Sequence, residues 1–287
     1  MGKIKGKNKG TILAGVMGWP VAHSRSPRLH GYWLRRYGID GAYVPLSVDP
    51  KDLKQVLAAL PRLGFAGCNL TLPHKELALK MVDRLDPMAR RVGAVNTVVV
   101  DAKGRLEGRN TDAFGFIEHL RHSAPRWRGG SAPVVVIGAG GASRAVLVAL
   151  LDAGVGDIRL VNRTSGRAAA LAREFGPRIA PLEWRQRMAV LDGAGLLVNC
   201  TSLGMSGHAP LNLQLERLPD TAIVYDIVYA PLRTPLLADA KARGLKTVDG
   251  LGMLLHQARP GFEAWFGVSP QVDAGLYRRV AADLPAR

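Results

Sequence analysis

The run Cys68-Asn69-Leu70-Thr71-Leu72-Pro73-His74-Lys75 gathers an amide, a hydroxyl and an ammonium within a few residues. Read as a strand over Gly67 to Leu72, it sends Asn69, Thr71 and Lys75 to its C-terminal end, where ligands bind in open α/β sheets. The stretch Gly18-Trp19-Pro20-Val21-Ala22-His23-Ser24-Arg25-Ser26-Pro27 puts two hydroxyls, Ser24 and Ser26, on a loop between a strand and a helix. Such a loop can hold a carboxylate through hydroxyls and backbone N–H groups. Gly93-Ala94-Val95-Asn96-Thr97 adds a buried-looking amide, and Gly108-Arg109-Asn110-Thr111-Asp112 adds a carboxylate near a helix N-terminus. Each has an ordinary reading alone: a helix cap for Ser26 and for Asp112, a turn amide for Asn96, a surface lysine for Lys75. Together they describe a pocket for a small polyhydroxylated acid.

A second constellation lies further on. Val134-Val135-Val136-Ile137 reads as a buried strand, followed by Gly138-Ala139-Gly140-Gly141-Ala142-Ser143 and the start of a helix. Glycines let the backbone turn tightly beside a pyrophosphate, and the helix N-terminus offers free N–H groups and partial positive charge. The pattern matches G-x-G-x-x-G/A with Ser143 as the last small residue, in the strand-to-helix context that gives the motif its meaning. The next strand ends in Asn162-Arg163-Thr164, with no acidic residue at its tip. An acid there selects the ribose 2′-hydroxyl of NAD, whereas a basic residue accommodates the 2′-phosphate of NADP. Arg163 can fork onto that phosphate, Thr164 adds a hydroxyl and Arg167 assists, so NADP is the expected cofactor.

The elements that must carry these residues alternate. Strands are expected at Ile12 to Met17, Ala42 to Val48, Gly67 to Leu72 and Val95 to Asp101. Helices are expected at Pro27 to Tyr37, with Ser26 as N-cap, and at Pro50 to Leu60, Lys75 to Val82 and Asp112 to Arg121. After a Pro/Gly-rich link, Pro125 to Pro133, a second set follows. Its strands are Val134 to Ile137, Asp157 to Val161, Gly195 to Asn199, Ala222 to Asp226 and Lys246 to Val248. Its helices are Ala142 to Ala153, Gly166 to Phe175 and Thr234 to Arg243, and Gly252 to Pro285 reads as helical in two pieces. Repeated βα alternation implies an α/β protein of two domains with a cleft between them: an N-terminal open, mostly parallel sheet for substrate and a C-terminal Rossmann-type domain.

Composition bounds the function classes. The chain has 287 residues, 47% of them hydrophobic, with 33 Gly and 18 Pro, enough for one or two domains with substantial cores. The two cysteines, Cys68 and Cys200, are far apart, which suggests neither CxxC chemistry nor a disulfide framework. His119 and His122 share a helix face without further ligands beside them, so no metal is expected. The net charge of +16 could signal nucleic-acid binding, but only 6% of residues are aromatic and the arginines are spread along the chain. A basic surface that steers anionic ligands is the preferred reading, with no nucleic-acid partner. Lys3, Lys5, Lys7 and Lys9 before the apolar run Thr11 to Ala22 imitate a signal peptide, yet Gly15, Gly18 and Pro20 interrupt that run. No membrane span is expected, and the cytoplasm is the expected location.

Over nearly its whole length the chain resembles the shikimate dehydrogenase family. The motifs GWPVAHSRSP, NLTLPHK, GAVNT, GRNTDAFG, GAGGASRA, VNRT, NCTSLGM, DIVYAPLRTPLL and GLGMLLHQ occur in the family's order. The departures are Trp19, at a variable position, and the basic N-terminal tail. The resemblance implies NADPH-dependent reduction of 3-dehydroshikimate to shikimate, a step towards aromatic amino acids. It implies that Ser24 and Ser26 hold the substrate carboxylate, that Asn69, Thr71, Asn96, Asp112 and Gln257 contact ring hydroxyls, and that Tyr229 lines the pocket. Lys75 and Asp112 match the family's catalytic pair. Thr201 and Ser202 would line the nicotinamide side, with Val228, Gly250 and Met253 beside it. The expected division is a substrate domain at 1–111, completed by C-terminal helices at 253–287, and an NADP domain at 112–252. The expected oligomer is a monomer or homodimer.

The chemistry agrees. Ketone reduction needs a hydride on carbon and a proton on oxygen; an ammonium such as Lys75 can polarise the carbonyl and protonate the developing alkoxide. Two rival readings stand beside this one: a quinate/shikimate dehydrogenase using NAD, and a non-catalytic NADP-binding protein.

Overall fold

A computed structural model describes residues 10–285. The lysines of the basic tail, Lys3 to Lys9, lie outside the described residues. The chain divides into two compact units. One runs to Thr111 and includes Ala258–Val280; the other holds Asp112–Gln257 and the chain from Ala281 on. Residues 253–257 and those after 280 therefore group with the second unit, where sequence reading assigned them to the first.

In the first unit the strands are β1 (Ile12–Gly18), β2 (Gly41–Ser47), β3 (Phe65–Leu70), β4 (Arg84–Leu85), β5 (Thr97–Val100) and β6 (Leu106–Arg109). Their order is β2-β1-β3-β5-β6-β4. Parallel pairing holds for β1 with β2 and β3, and for β4 with β6, whereas β5 runs antiparallel to both of its neighbours. The sheet is thus mixed at the β5 side. Ala14, Val16 and Met17 are buried along β1, the continuous apolar run that a central parallel strand requires. Met17, Leu53, Leu57, Cys68, Leu70 and Val98 form the core beneath it.

Helices α1 (Ser26–Arg36), α2 (Leu53–Ala59), α3 (His74–Leu77) and α4 (Pro87–Val92) complete this part. Three expectations are corrected. The N-cap of α1 is Arg25, with no side-chain cap bond, and Ser26 is its first residue. The helix expected over Lys75 to Val82 is the short α3 followed by a 3-10 turn, Ala78–Lys80. Strand β3 stops at Leu70, so Thr71 lies just beyond it. The elements not anticipated here are α4 and the short strands β4 and β6. Asp86 caps α4 by accepting from Ala89 N at 2.5 Å, Pro87 starts it, and Gly93, at φ 71°, ends it.

The second unit carries β7 (Val134–Ile137), β8 (Ile158–Asn162), β9 (Ile179–Glu183), β10 (Leu196–Asn199), β11 (Ile223–Asp226) and β12 (Lys246–Val248). All pairings are parallel, in the order β12-β11-β10-β7-β8-β9. The chain winds outward from β7 through β8 to β9, then resumes at β10 on the other side. The strand order reverses between β7 and β10, the switch point at which doubly wound sheets bind ligands. Its helices are α5 (Asp112–Ser123), α6 (Gly141–Asp152), α7 (Ser165–Phe175) and α8 (Pro235–Ala242). Strand β9 was not anticipated.

The C-terminal part forms α9 (Gly250–Phe266) and α10 (Ala274–Ala281). In the first unit, Trp265 Nε1 donates to the Val98 carbonyl at 3.0 Å and Trp33 Nε1 donates to the Gln271 carbonyl at 2.9 Å. In the second, Gly115 on α5 faces Gln257 and Met253 of α9 so closely that a Cβ there would collide with both.

Candidate active site

In the first unit one hydrogen-bond network joins most of the polar residues singled out in the sequence. Ser24 Oγ accepts from Ser26 N at 3.3 Å, which folds the loop onto the start of α1. Ser26 is buried, and its side chain lies beside the Tyr43 hydroxyl. The Tyr43 hydroxyl donates to Asn69 Oδ1 at 2.6 Å. Asn69 Nδ2 donates to the Asn96 carbonyl at 3.1 Å and to Thr97 Oγ1 at 3.0 Å. Both amide hydrogens of Asn69 are thereby used, and only its oxygen retains capacity. Thr97 Oγ1 donates to Asn96 Oδ1 at 3.0 Å, and Asn96 Nδ2 donates to Thr111 Oγ1 at 3.0 Å.

Lys75 is the second residue of α3, partly buried. Its carbonyl accepts from Val95 N at 2.8 Å, so its backbone is tied to the residue before Asn96. Thr71 N donates to the Met17 carbonyl at 2.9 Å, and the Thr71 carbonyl accepts from His74 N at 2.9 Å, which anchors the β3–α3 turn. His74 is buried with Nε2 2.9 Å from the Val48 carbonyl. Since a carbonyl can only accept, Nε2 carries the proton. Burial lowers the His74 pKa, partly offset by that bond.

His30 lies under Tyr43. Its ring is fully buried, stacked on the Tyr43 ring at 3.9 Å and 8°, with Trp33, Phe262 and Trp265 around it. Neither ring nitrogen has a hydrogen-bond partner among the described residues. Burial lowers its pKa to about 3, so it is a neutral, aromatic packing element.

In the second unit Asp112 opens α5 and is buried, as is Gln257 on α9. Gln257 lies against Gly115, one helical turn along from Asp112, and donates from Nε2 to the Leu254 carbonyl at 3.0 Å. Tyr229 follows β11 and is half-buried.

The β7–α6 turn has the features a pyrophosphate needs. Gly138 has φ 109°, and a Cβ there would lie 2.9 Å from Thr201 Cγ2 and 3.1 Å from the Cys200 carbonyl oxygen, so only glycine fits. A Cβ at Gly140 would meet nothing within 4 Å, which leaves the approach to the turn open. Gly140 N donates to Ser143 Oγ at 3.2 Å, and Gly141 and Ala142 begin α6. Ala139 N is taken by Asn162 Oδ1 at 3.2 Å, while Asn162 Nδ2 holds the Thr164 carbonyl at 2.9 Å. Asn162 thus ties the glycine turn to the tip of β8.

At that tip Thr164 is the N-cap residue of α7, with its hydroxyl unused in capping. Arg163 and Arg167 are exposed there, without an acidic partner among the described residues. Two unpaired guanidiniums at a helix N-terminus suit a phosphate dianion. The donor set therefore fits NADP.

A buried Asn199–Asp226 pair organises the remaining loops. Asp226 Oδ1 accepts from Asn199 Nδ2 at 2.9 Å and from Val228 N at 3.0 Å, and Oδ2 accepts from Thr234 Oγ1 at 2.7 Å. Asn199 Oδ1 accepts from Thr201 N at 3.0 Å and from Thr201 Oγ1 at 2.7 Å. Burial pushes the Asp226 carboxyl up to about 6, against those hydrogen bonds. Ser202 is exposed beside Thr201, and Met253 is buried on α9. Gly250 opens α9 tight against the Ile227 carbonyl.

The buried free thiols Cys68 and Cys200 both have raised pKa values from burial, Cys200 to about 12, and are no nucleophiles. Among the described residues no group of three or more His, Cys, Asp and Glu could hold a metal ion, and no helix is long and apolar enough to cross a membrane.

Sequence reasoning missed Tyr43, His30, Thr97, Thr111 and the Asn199–Asp226 pair as site residues. Thr97, Thr111 and Asn199 lay inside motifs already noted, beside residues that had been chosen. Tyr43 stood in an ordinary strand pattern without any signal.

A doubly wound parallel sheet with a glycine turn at its switch point defines a dinucleotide-binding α/β protein. Comparison with known proteins narrows this. Residues 16–98 match the shikimate dehydrogenase substrate binding domain, residues 125–206 match shikimate / quinate 5-dehydrogenase, and residues 250–275 match the shikimate 5′-dehydrogenase C-terminal domain. The chain is 62% identical over 264 residues to shikimate dehydrogenase (NADP(+)) of Paramagnetospirillum magneticum, covering 92% of this chain and 96% of that one. Among solved structures, it resembles Thermus thermophilus shikimate 5-dehydrogenase in complex with NADP(H) and shikimate. That match has 41% identity and a TM-score of 0.83, over 94% of this chain and 98% of the other. It also resembles the quinate dehydrogenase of Corynebacterium glutamicum in complex with NAD, with 33% identity and a TM-score of 0.88, over 94% and 99% of the two chains. The chain belongs to the shikimate dehydrogenase family and is an oxidoreductase.

Proposed function

We propose that the protein catalyses the reversible NADPH-dependent reduction of 3-dehydroshikimate to shikimate, on the route to chorismate and the aromatic amino acids. NADPH, when bound, supplies the hydride. Its pyrophosphate would be held by Gly138, Gly140, Gly141 and Ala142, its 2′-phosphate by Arg163, Thr164 and Arg167, and its nicotinamide end by the loops of Thr201, Ser202, Val228, Gly250 and Met253.

The protein's own groups do the rest. The Ser24 hydroxyl, whose oxygen already accepts from Ser26 N, keeps its proton for the substrate carboxylate. Ser26 offers a second hydroxyl there. Asn69, with both donors committed, can only accept from a ring hydroxyl. Thr71, Asn96 and Gln257 add polar contacts, and Tyr229 lines the pocket. The Lys75 ammonium polarises the ketone and delivers a proton to its oxygen, while the Asp112 carboxylate orients both Lys75 and the neighbouring hydroxyl. In the oxidative direction neutral Lys75 takes that proton back.

One observation carries this reading. The Lys75 carbonyl bonds Val95 N, and the next residue, Asn96, bonds Thr111 N at 2.9 Å, the residue directly before Asp112. The backbones of the proposed donor and its partner are thus referred to one dipeptide. The direct test is a spectrophotometric assay of NADP+ and NAD+ reduction with shikimate and with quinate, side by side. Fast reduction of NADP+ by shikimate is expected.

The likeness to a quinate dehydrogenase bound to NAD motivates the second reading, and the same assay decides it: NAD+ reduction by quinate as the dominant activity would replace the first. The absence of an acidic residue at the β8 tip argues for NADP. We further propose that the enzyme works in the cytoplasm, where two free buried thiols are at home, as a monomer or homodimer.

A further inference from the structure

Tyr43 stands on β2, outside every motif that carries the proposed chemistry, yet its hydroxyl joins two of them. It donates to Asn69 Oδ1 at 2.6 Å and lies beside the side chain of Ser26. Ser26 belongs to the loop assigned to the substrate carboxylate, and Asn69 to the strand end assigned to a ring hydroxyl. All three residues are buried. The phenol ring is clamped by the parallel His30 ring at 3.9 Å and flanked by Trp265 at 6.0 Å. Asn69 cannot rotate its amide without breaking its bonds to the Asn96 carbonyl and Thr97 Oγ1.

A phenol hydroxyl has one proton to give and lone pairs to receive. Here the proton goes to Asn69 and the oxygen faces Ser26. When a carboxylate accepts a hydrogen bond from the Ser26 hydroxyl, Ser26 Oγ is left as an acceptor beside Tyr43. The Tyr43 proton can then turn to Ser26. That polarises the Ser26 hydroxyl and strengthens its charge-assisted bond, and it removes the competing donor from Asn69 Oδ1, which then accepts more strongly from a ring hydroxyl. We propose that Tyr43 is a positioning and specificity residue that couples recognition of the carboxylate by Ser26 to recognition of a ring hydroxyl by Asn69. The site then favours acids that carry both groups over molecules that carry either one. This rests on the substrate reading given above.

The test is a cycle of four ligands: shikimate, its methyl ester, an analogue lacking one ring hydroxyl (each hydroxyl in turn), and the ester of that analogue. Binding constants are measured on the whole enzyme and on Tyr43→Phe, which keeps the ring against His30. In the wild type, for one hydroxyl, removing both groups is expected to cost less than the product of the separate losses, by about 3- to 10-fold, the scale of one hydrogen bond. In Tyr43→Phe the losses should multiply independently, the KM for shikimate should rise by a similar factor and the KM for NADP+ should stay put. Independence for every hydroxyl in the wild type, or coupling that persists in Tyr43→Phe, overturns the proposal. The wild-type cycle needs no variant, so a folding failure of Tyr43→Phe leaves it decisive. Ser26→Ala separates the two levels. If the wild type binds no shikimate, the substrate reading fails. If it binds shikimate and Ser26→Ala binds it equally well, Ser26 does not hold the carboxylate and the coupling fails with it. If Ser26→Ala weakens binding while the ligand losses are independent, only the coupling fails.

Discussion

Asn96 holds Thr111 with both ends of its amide: its Oδ1 accepts from the Thr111 backbone N–H at 2.9 Å and from the Thr111 hydroxyl at 3.2 Å, and its Nδ2 lies 3.0 Å from that hydroxyl oxygen as donor. Thr111 immediately precedes Asp112, and Asn96 immediately follows Val95, whose N–H holds the Lys75 carbonyl at 2.8 Å. An Asn96→Ala enzyme should therefore lose more than a substrate contact. Buried Thr111 N–H would be left without its acceptor, at a cost of about 1–3 kcal/mol in stability, and turnover should fall because Asp112 loses its backbone anchor. Chemical denaturation and steady-state kinetics together check this. Unchanged stability and turnover would show that Thr111 needs no anchor.

The cofactor assignment turns on Arg163. Arg163→Ala should raise the KM for NADP+ far more than that for NAD+, since only NADP+ carries the 2′-phosphate. Arg167→Ala should act in the same direction. Equal effects on both cofactors would remove these arginines from the phosphate site.

Ser24 and Ser26 are separable. Each alanine variant should weaken shikimate binding by roughly 1.5–3 kcal/mol, the usual scale for a hydrogen bond to a charged group, with NADP+ binding unchanged. Isothermal calorimetry reads both. Normal shikimate binding in both variants would reduce the loop to a structural turn.

His30 predicts an acid-sensitive component of stability. Its pKa is about 3 in the fold against 6.5 in the unfolded chain, so the fold favours the neutral ring. This contribution is complete above pH 6.5 and is lost as pH falls through 6.5 towards 3, at about 1.4 kcal/mol per pH unit. His30→Phe, which cannot take up a proton, should resist acid better than the wild type by about 3 kcal/mol between neutral pH and pH ~4.5. Denaturation curves at the two pH values test it; equal losses for both proteins would mean that His30 is protonated in the fold.

The second unit was the easier half to read. Val134–Ile137 is a fully buried parallel strand and so appears as an unbroken apolar run, and the glycine at 138 is demanded by the turn itself, while Gly140 leaves the approach to it open. The strands missed, β4, β6 and β9, are short or half-exposed, and their pairing partners rather than their own residues make them strands. In the site, residue types with donors and acceptors stood out wherever several shared a motif. Tyr43 did not, because its partners Ser26 and Asn69 are brought to it by the β1–β2 and β1–β3 pairings, which leave no local trace. Nor did His30, whose aromatic cage draws on Phe262 and Trp265 from the far end of the chain. The exhausted donors of Asn69 were equally invisible, since they depend on Asn96 and Thr97.

The central claim is that Lys75 moves the proton at the substrate oxygen, and single-turnover hydride transfer measures it most directly. With enzyme saturated by both ligands, and a deuterium isotope effect showing that hydride transfer limits the rate, Lys75→Ala should be slower by about 100-fold or more. Shikimate affinity should fall much less. Asp112→Asn should also be slow, and the double variant should lose less than the two losses combined, as expected for residues acting as a unit. A Lys75→Ala enzyme that transfers hydride at a near-normal rate under those conditions would contradict the account.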